Sequence, residues 1–388
     1  MSNNPILLPL LGSTRVSEEA AFSVCFSSID SPPLIYTGGS DETLKCWELK
    51  YTEEEKAIAG SSEKTKVRSE NISLVSNVQG AHPLGVMSVS TSPDGSKIAT
   101  TGIRGDLAIW SSPGGMSSQS FHGKMEKLAI GPANASPLDA YKVAYNPIND
   151  SRANLVSGSF NGAINLWSVL EERQESSMDM EDDGLGDDIL SSLSSSSSSS
   201  SSSVSIEKIS SIPSSRGSFT MCVAFSPDGQ RAAAGHADGT VSIIDVKTGK
   251  LVTTLEAHLR SVRAISWAPV PLHGDESLLY TASDDGRIGV FDAANGSSYA
   301  NVSMLTGHLS FVSSIAACSM RPGCVASGGA DRSVKLWDIR RPVALQSYDV
   351  HNSTVMSLSW APEKSAAGSY RLAGVSETGA MFLHSCSS

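Results

Sequence analysis

Ser327-Gly328-Gly329-Ala330-Asp331, running on into Val334-Lys335-Leu336-Trp337-Asp338, is a polar turn followed by a short strand that ends on a bulky apolar residue. The phrase returns along the whole chain. Taking the bulky residue as an anchor gives Trp47, Trp110, Trp167, Ile244, Phe291, Trp337 and Leu383. The residue six positions before each anchor is Asp41, Arg104, Asn161, Asp238, Asp285, Asp331 or Glu377, so polar turn formers dominate there. Self-similarity on this scale decides the fold before any single residue does.

The last four anchors lie 47, 46 and 46 residues apart, close to the roughly 40–45 of a four-stranded WD-type propeller blade. The first three intervals, 63, 57 and 77, are longer and imply inserted loops. Around the anchors the pattern alternates as strands do, for example Val86-Met87-Ser88-Val89-Ser90, then Ser92-Pro93-Asp94-Gly95, then Lys97-Ile98-Ala99-Thr100. Pro presets one turn angle and Gly accepts the left-handed one, so Pro-Asp-Gly here and at 227–229 reads as a turn. Sustained helical periodicity is absent. The reading is therefore all-β, a seven-bladed WD-repeat β-propeller formed by residues 1–388 as a single domain.

Such a ring needs closing. The seventh repeat has three strands, and Ile6-Leu7-Leu8-Pro9-Leu10-Leu11 precedes the first repeat without a blade of its own. That segment is expected to supply the outer strand of the last blade, removing an open sheet edge.

The net charge of −11 is concentrated: residues 171–188 carry nine carboxylates and one arginine. What remains is nearly neutral, which gives no basic field for direct nucleic-acid binding. The tract continues into an almost unbroken serine run, so residues 171–203 are expected to be a disordered acidic, serine-rich insertion, and residues 50–70 a second, flexible one. The six cysteines contain no Cys-x-x-Cys pair, and no leader or long apolar span stands out. A reduced, soluble, intracellular protein without membrane contact is expected.

His308, Ser327 and Asp331 have the residue types of a hydrolase triad. In a blade they have another task, linking the inner strand, the second strand and the next turn to the indole of Trp337 in a satisfied network. Partial copies, His258 with Thr281 and Asp285 beside Phe291, and His82 with Thr100 beside Trp110 and Arg104, favour that structural reading, since catalysis needs one intact site and no copies. Asp179-x-Glu181-x-Asp183-Gly184 has the start of a calcium loop, but Leu190 stands where its closing glutamate belongs. Ser176, three residues before Asp179, offers a weak phosphorylation signal. No catalytic residue, metal set or cofactor motif is identified.

Surface remains. Aligning the inner strands places Phe22, Met87, Tyr141, Phe219, Met221, Phe311 and Met356 at one entrance of the central channel, with Asp139, Arg263 and Asp284 among them. Apolar residues converging from separate blades, with a few charges, make a partner-binding patch on what we term the top face.

Narrower phrases point further. Ala81-His82-Pro83-Leu84-Gly85-Val86-Met87-Ser88-Val89, Pro137-Leu138-Asp139-Ala140-Tyr141, Ser218-Phe219 before Ser226-Pro227-Asp228-Gly229, and Thr281-Ala282-Ser283-Asp284-Asp285-Gly286 resemble the WD-repeat subunit of the superkiller complex. The resemblance covers all seven repeats and breaks at the two insertions. It implies a non-enzymatic scaffold, cytoplasmic and nuclear, that joins a tetratricopeptide-repeat subunit and an RNA helicase for exosome-mediated mRNA decay. It also implies membership of the RNA-polymerase-II-associated transcription elongation complex. A single copy of the ring would sit in a hetero-complex, with short partner segments on the top face near Phe22, Tyr141 and Phe219. Ile244 and Leu383 depart from the repeat consensus, and the acidic insertion is foreign to the family. Trp337-Asp338-Ile339-Arg340 also fits the W-D-x-R phrase of cullin-RING ligase substrate receptors, which leaves another adaptor role open. An enzyme using the channel mouth is a third reading.

Overall fold

The structure, a computed structural model, describes residues 6–27, 33–57, 64–113, 124–131, 138–148, 151–172, 203–269, 278–293, 299–319, 321–349, 352–362 and 370–387. Among these residues there is no helix, and the strands form seven four-stranded antiparallel sheets. The innermost strands are Ala21–Phe26, Val86–Thr91, Lys142–Tyr145, Thr220–Phe225, Val262–Trp267, Val312–Ala317 and Val355–Trp360. These define blades 1 to 7. Each inner strand packs against the next, and the seventh packs against the first, so the ring is closed.

In blades 1 to 6 the chain runs from inner to outer strand in sequence order. Blade 7 takes its outer strand from the other end of the sequence, Ile6–Arg15, antiparallel to Ala380–Ser387. The apolar N-terminal run thus meets the expectation for it, and both sheet edges that an open ring would expose are paired.

Burial follows position in the blade. Second strands such as Leu34–Gly39 and Cys324–Gly329 are buried at every residue, whereas the outer strand Lys250–Glu256 is mostly exposed. The core is divided among the described residues into seven clusters, each shared by two neighbouring blades, as where Leu34, Tyr36 and Leu44 meet Val86, Ile98 and Trp110. No blade buries both faces alone. Close approach requires missing side chains: a Cβ on Gly328 would lie 2.3 Å from Val355 Cγ1, and one on Gly38 would lie 2.5 Å from Val86 Cγ1.

Three details correct the sequence reading. In six blades the anchor follows the left-handed turn residue by five positions, as Trp337 follows Arg332. In blade 7 that turn residue is Gly379, which makes His384 the anchor and not Leu383. Successive strand residues face opposite ways, so the slip of one position matters. Leu383 joins the cluster facing blade 1, while His384 lies 5.2 Å from the Tyr348 ring of blade 6. Next, the described parts of 50–70 are paired backbone, with Leu44–Ala57 matched to Lys64–Val78 as one long hairpin. Finally, Glu171, Glu172 and Ser203 belong to the third and outer strands of blade 3, paired as Glu172↔Ser203. Residues 173–202, with the calcium-like motif and Ser176, lie outside the described residues.

Candidate functional site

The top face is the one at which the inner strands begin, and a repeated backbone irregularity shapes it. In six blades the first pairing of the inner strand skips one residue: Phe22, Met87, Met221, Arg263, Ser313 or Met356. Each is the extra residue of a β-bulge, a device that re-aims a side chain. Tyr141 fills the same place in blade 3, its N–H donating to the Gly158 carbonyl oxygen over 2.6 Å. All seven bulge residues line one cavity of about 220 Å3, joined by Lys142, Phe311, Thr354 and Glu377.

One side of the mouth is aromatic. Phe160 and Phe219 stack at 4.8 Å with 3° between their planes, and Tyr141 meets both edge-on, at 5.1 and 4.8 Å. These rings come from the two inner-strand starts of blades 3 and 4 and from the turn before Asn161. Such clusters present a large rigid apolar area at low entropy cost. Burial raises the Tyr141 phenol above its ordinary pKa, against the opposing charge of Arg263, so it stays a neutral hydroxyl.

The adjacent side is charged. Arg263 meets Asp284 through two hydrogen bonds, Nε at 2.6 Å and Nη2 at 3.0 Å, while its guanidinium lies 5.2 Å from the Phe311 ring centroid. The arrangement holds a flat cation over an aromatic face at the entrance. Lys142 donates from Nζ to the Met87 carbonyl oxygen at 2.9 Å, and although part of the side chain faces the cavity, burial pulls its pKa from 10.5 down to about 8. Glu377 is exposed on the same mouth.

Thus Phe22, Met87, Tyr141, Met221, Arg263, Phe311 and Met356 come together around the cavity, and Phe219 and Asp284 flank it. Asp139 does not join them. It is 5% exposed, and its carboxylate pairs with Lys208 of the outer strand Ser203–Pro213. The reason is local: the Asp139 carbonyl accepts bonds from Ser157 Oγ at 3.0 Å and Asn165 Nδ2 at 2.9 Å, which fixes its backbone inward. Phe160, Lys142, Ser313, Thr354 and Glu377 escaped the sequence reading. With His384 as the seventh anchor, Glu377 becomes equivalent to Phe160 and Asp284, seven positions before Phe291's counterpart in each blade; the misplaced anchor hid that ring.

The blade network is clearest in blade 6. Trp337 Nε1 donates to Ser327 Oγ at 2.7 Å, Ser327 Oγ meets His308 Nε2 at 2.7 Å, and His308 Nδ1 meets Asp331 at 2.8 Å. Because the serine oxygen takes the indole proton, its own proton goes to Nε2, and the other imidazole nitrogen carries the hydrogen given to Asp331. Burial alone would raise the Asp331 pKa, but hydrogen bonds from His308, the Leu309 N–H and Ser333 hold it well below the carboxylate range. Ser327 and Trp337 are fully buried, so this hydroxyl is committed to the blade interior. Blade 5 repeats the pattern with His258, Thr281 and Asp285, at 2.7 and 2.9 Å. Blade 2 corrects the sequence reading: His82 bonds Thr100 at 2.7 Å and then Asp106, two positions beyond Arg104, which takes no part. Among the described residues, no group of three or more His, Cys, Asp or Glu side chains is placed to hold a metal ion.

Comparison with known proteins agrees with this geometry. The family described as WD domain, G-beta repeat matches residues 74–111, 249–292 and 300–338, and the anaphase-promoting complex subunit 4 WD40 domain matches residues 188–270. The WD repeat-containing protein SL1-17 of Schistosoma mansoni is 28% identical over 215 residues, 55% of this chain and 53% of that protein. The WD repeat-containing protein VIP3 of Arabidopsis thaliana is 28% identical over 241 residues, 62% of this chain and 57% of that protein. The meiotic recombination protein rec14 of Schizosaccharomyces pombe is 21% identical over 224 residues, 58% of this chain and 57% of that protein. The chain spans little more than half the length of these relatives. Seven blades of four strands, the indole-centred networks and the repeat matches together make this chain a seven-bladed WD-repeat β-propeller.

Proposed function

We propose that the ring is a non-enzymatic protein-interaction scaffold whose channel mouth holds a short segment of a partner protein. One observation carries this reading: bulge residues from all seven blades converge on a single cavity beside a three-ring aromatic cluster and an arginine over a phenylalanine. Apolar anchors with a few oriented charges are the composition of a protein-binding hot spot. The residues that mimic a hydrolase triad are instead consumed by the blade interior.

On the finer level, the phrases at 81–89, 137–141 and 281–286 support a subunit of a superkiller-type complex, with a tetratricopeptide-repeat subunit and an RNA helicase as partners. Roles in mRNA decay in the cytoplasm and in transcription elongation in the nucleus belong to the same proposal. The names of the relatives above are diverse and favour no single complex.

The test is a pair of measurements on one set of samples. Tyr141→Ala with Phe219→Ala should weaken partner capture by at least about thirtyfold, since central aromatic anchors account for about 2 kcal/mol or more each. Folding should persist by circular dichroism, with a loss of roughly 1–2 kcal/mol because each removed ring also packs on Phe160. A folded double variant that captures its partner at wild-type strength moves the site elsewhere. Affinity purification from native cells identifies the complex: a helicase supports the superkiller reading, and the adaptor of a cullin-RING ligase instead of a helicase replaces it.

A further inference from the structure

Outside the mouth, the top rim of blades 5 and 6 carries apolar residues where solvent would favour polar ones. Leu259 is 92% exposed and Leu309 is 93% exposed. They are equivalent: each follows the network histidine, His258 or His308, in the linker that enters an inner strand. Single exposed leucines are ordinary, but two fully exposed ones at the same place in adjacent blades make a pattern.

The turn at 283–286 bridges them. On one side Ser283 Oγ donates to the Arg260 carbonyl oxygen at 3.2 Å and the Asp284 N–H donates to the Ser261 carbonyl oxygen at 3.0 Å. On the other side a Cβ on Gly286 would lie 3.2 Å from the Ser310 carbonyl oxygen. Leu309 and Arg332 share a polar recess with Lys335. The rim therefore runs Leu259, Arg260, Arg287, Leu309, Arg332 as one strip.

Its charge is unbalanced. The guanidinium groups of Arg260, Arg287 and Arg332 are exposed and make no hydrogen bond or ion pair to a described residue. Of the carboxylates near the strip, Asp284 engages Arg263, Asp285 engages His258 and Asp331 engages His308, while Asp349, across the recess from Arg332, accepts from Ser347 Oγ at 2.8 Å. Arg332 also occupies a left-handed position, φ 62°, where five other blades have Gly105, Gly162, Gly239, Gly286 and Gly379. A side chain there is strained, and among the described residues its guanidinium gains no hydrogen bond or ion pair to offset the strain.

We propose that this strip is a second docking site, for a linear segment of a partner protein that alternates carboxylate and aliphatic side chains. Unneutralised arginines call for carboxylates, and the leucines call for aliphatic cover. Three arginines beside two leucines match a short segment, whereas a polyanionic surface such as membrane or nucleic acid needs a broad basic field, which a chain that is nearly neutral outside residues 171–188 does not supply.

The experiment is selection of short random peptides displayed on phage against the folded full chain, with counter-selection on Leu259→Ser combined with Leu309→Ser. The enriched pool should be rich in Asp and Glu together with Leu, Ile, Val or Met. The best peptide, synthesised, should lose affinity about tenfold or more on the leucine variant and on Arg260→Glu combined with Arg287→Glu. It should bind the Tyr141→Ala, Phe219→Ala protein unchanged, so this site and the channel mouth fail separately. Arg332→Gly should weaken the peptide while raising the melting temperature, a combination no purely structural role produces. No enrichment, enrichment without acidic bias, or indifference to both variants overturns the proposal. So does sedimentation of the wild-type protein, but not the leucine variant, with phosphatidylcholine and phosphatidylserine vesicles, which would assign the strip to a lipid surface.

Discussion

Blades 6 and 3 solve the same problem with different chemistry. Each buries an anchor indole whose N–H needs an acceptor, and each supplies a serine hydroxyl, Ser327 at 2.7 Å or Ser157 at 2.9 Å. In blade 6 the hydroxyl then meets a histidine backed by a buried aspartate. In blade 3 it meets the main-chain carbonyl of Asp139, which Asn165 also holds, and the freed carboxylate turns to Lys208. The acceptor for the indole is fixed by physics, whereas what holds the acceptor is replaceable. Blade 3, where a main-chain carbonyl stands in for the histidine of blade 6, also contributes Tyr141 and Phe160 to the mouth.

The largest effect should come from charge reversal at the two aspartates. Asp331→Lys sets a cation against His308 and the Ser333 hydroxyl at a side-chain position that is 6% exposed, and should unfold blade 6. Asp139→Lys should cost roughly 2–4 kcal/mol by opposing Lys208, less than a fully sealed pair because Lys208 keeps some contact with water. Denaturant midpoints of both variants check the ranking, and an Asp139→Lys protein as stable as the parent would return this residue to the surface. A smaller contrast lies at the hydroxyls. Ser327→Ala strands both the indole N–H and His308 Nε2, while Ser157→Ala strands only the indole, since the Asp139 carbonyl keeps Asn165. The first should be the costlier by about 1 kcal/mol.

The fold was legible because it is written seven times: anchor spacing, turn chemistry and the spare apolar segment each survive an error in any one repeat. The inner-strand starts were legible for the same reason, so Phe22, Met87, Met221 and Met356 could be placed together. Features that belong to a single blade were not. Asp106 replaces the expected turn residue from two positions further on, since a side chain can reach the same histidine from either point of the turn. His384 and Leu383 are both buried, and only strand pairing says which faces which neighbour. Asp139 has the right position for the rim, but a carbonyl bond inside the blade decides where it goes.

Lys142 sharpens the contrast between mouth and interior. Other inner strands place a small residue at its position, as with Ser23, Ser88 and Ser314, each bonded to the backbone of the next blade over 3.1, 3.3 and 2.9 Å. With a folded pKa of about 8 against an ordinary 10.5, the unfolded chain binds more protons between those values. Stability should therefore rise as pH increases from about 8 towards 10.5. Lys142→Met should be more stable at neutral pH and lose that rise, which thermal melts across the alkaline range would register. The smallest effect is expected from removing 176–200. The flanking strands pair up to Glu172↔Ser203, so the ends are already held together and stability should change by less than about 1 kcal/mol. A larger fall in the unfolding midpoint would mean that the acidic tract contributes to the ring.

The strand pairing Ile6–Leu8 with Ser385–Ser387 has a consequence for synthesis. During translation, the six blades with consecutive strands can assemble behind the ribosome as their strands emerge. The seventh waits until residues 380–387 have left the exit tunnel, and until then Ile6–Arg15 has no partner strand. Over that interval a nascent ring holds one unpaired strand and one unpaired sheet edge, far apart in sequence, which a chaperone can hold.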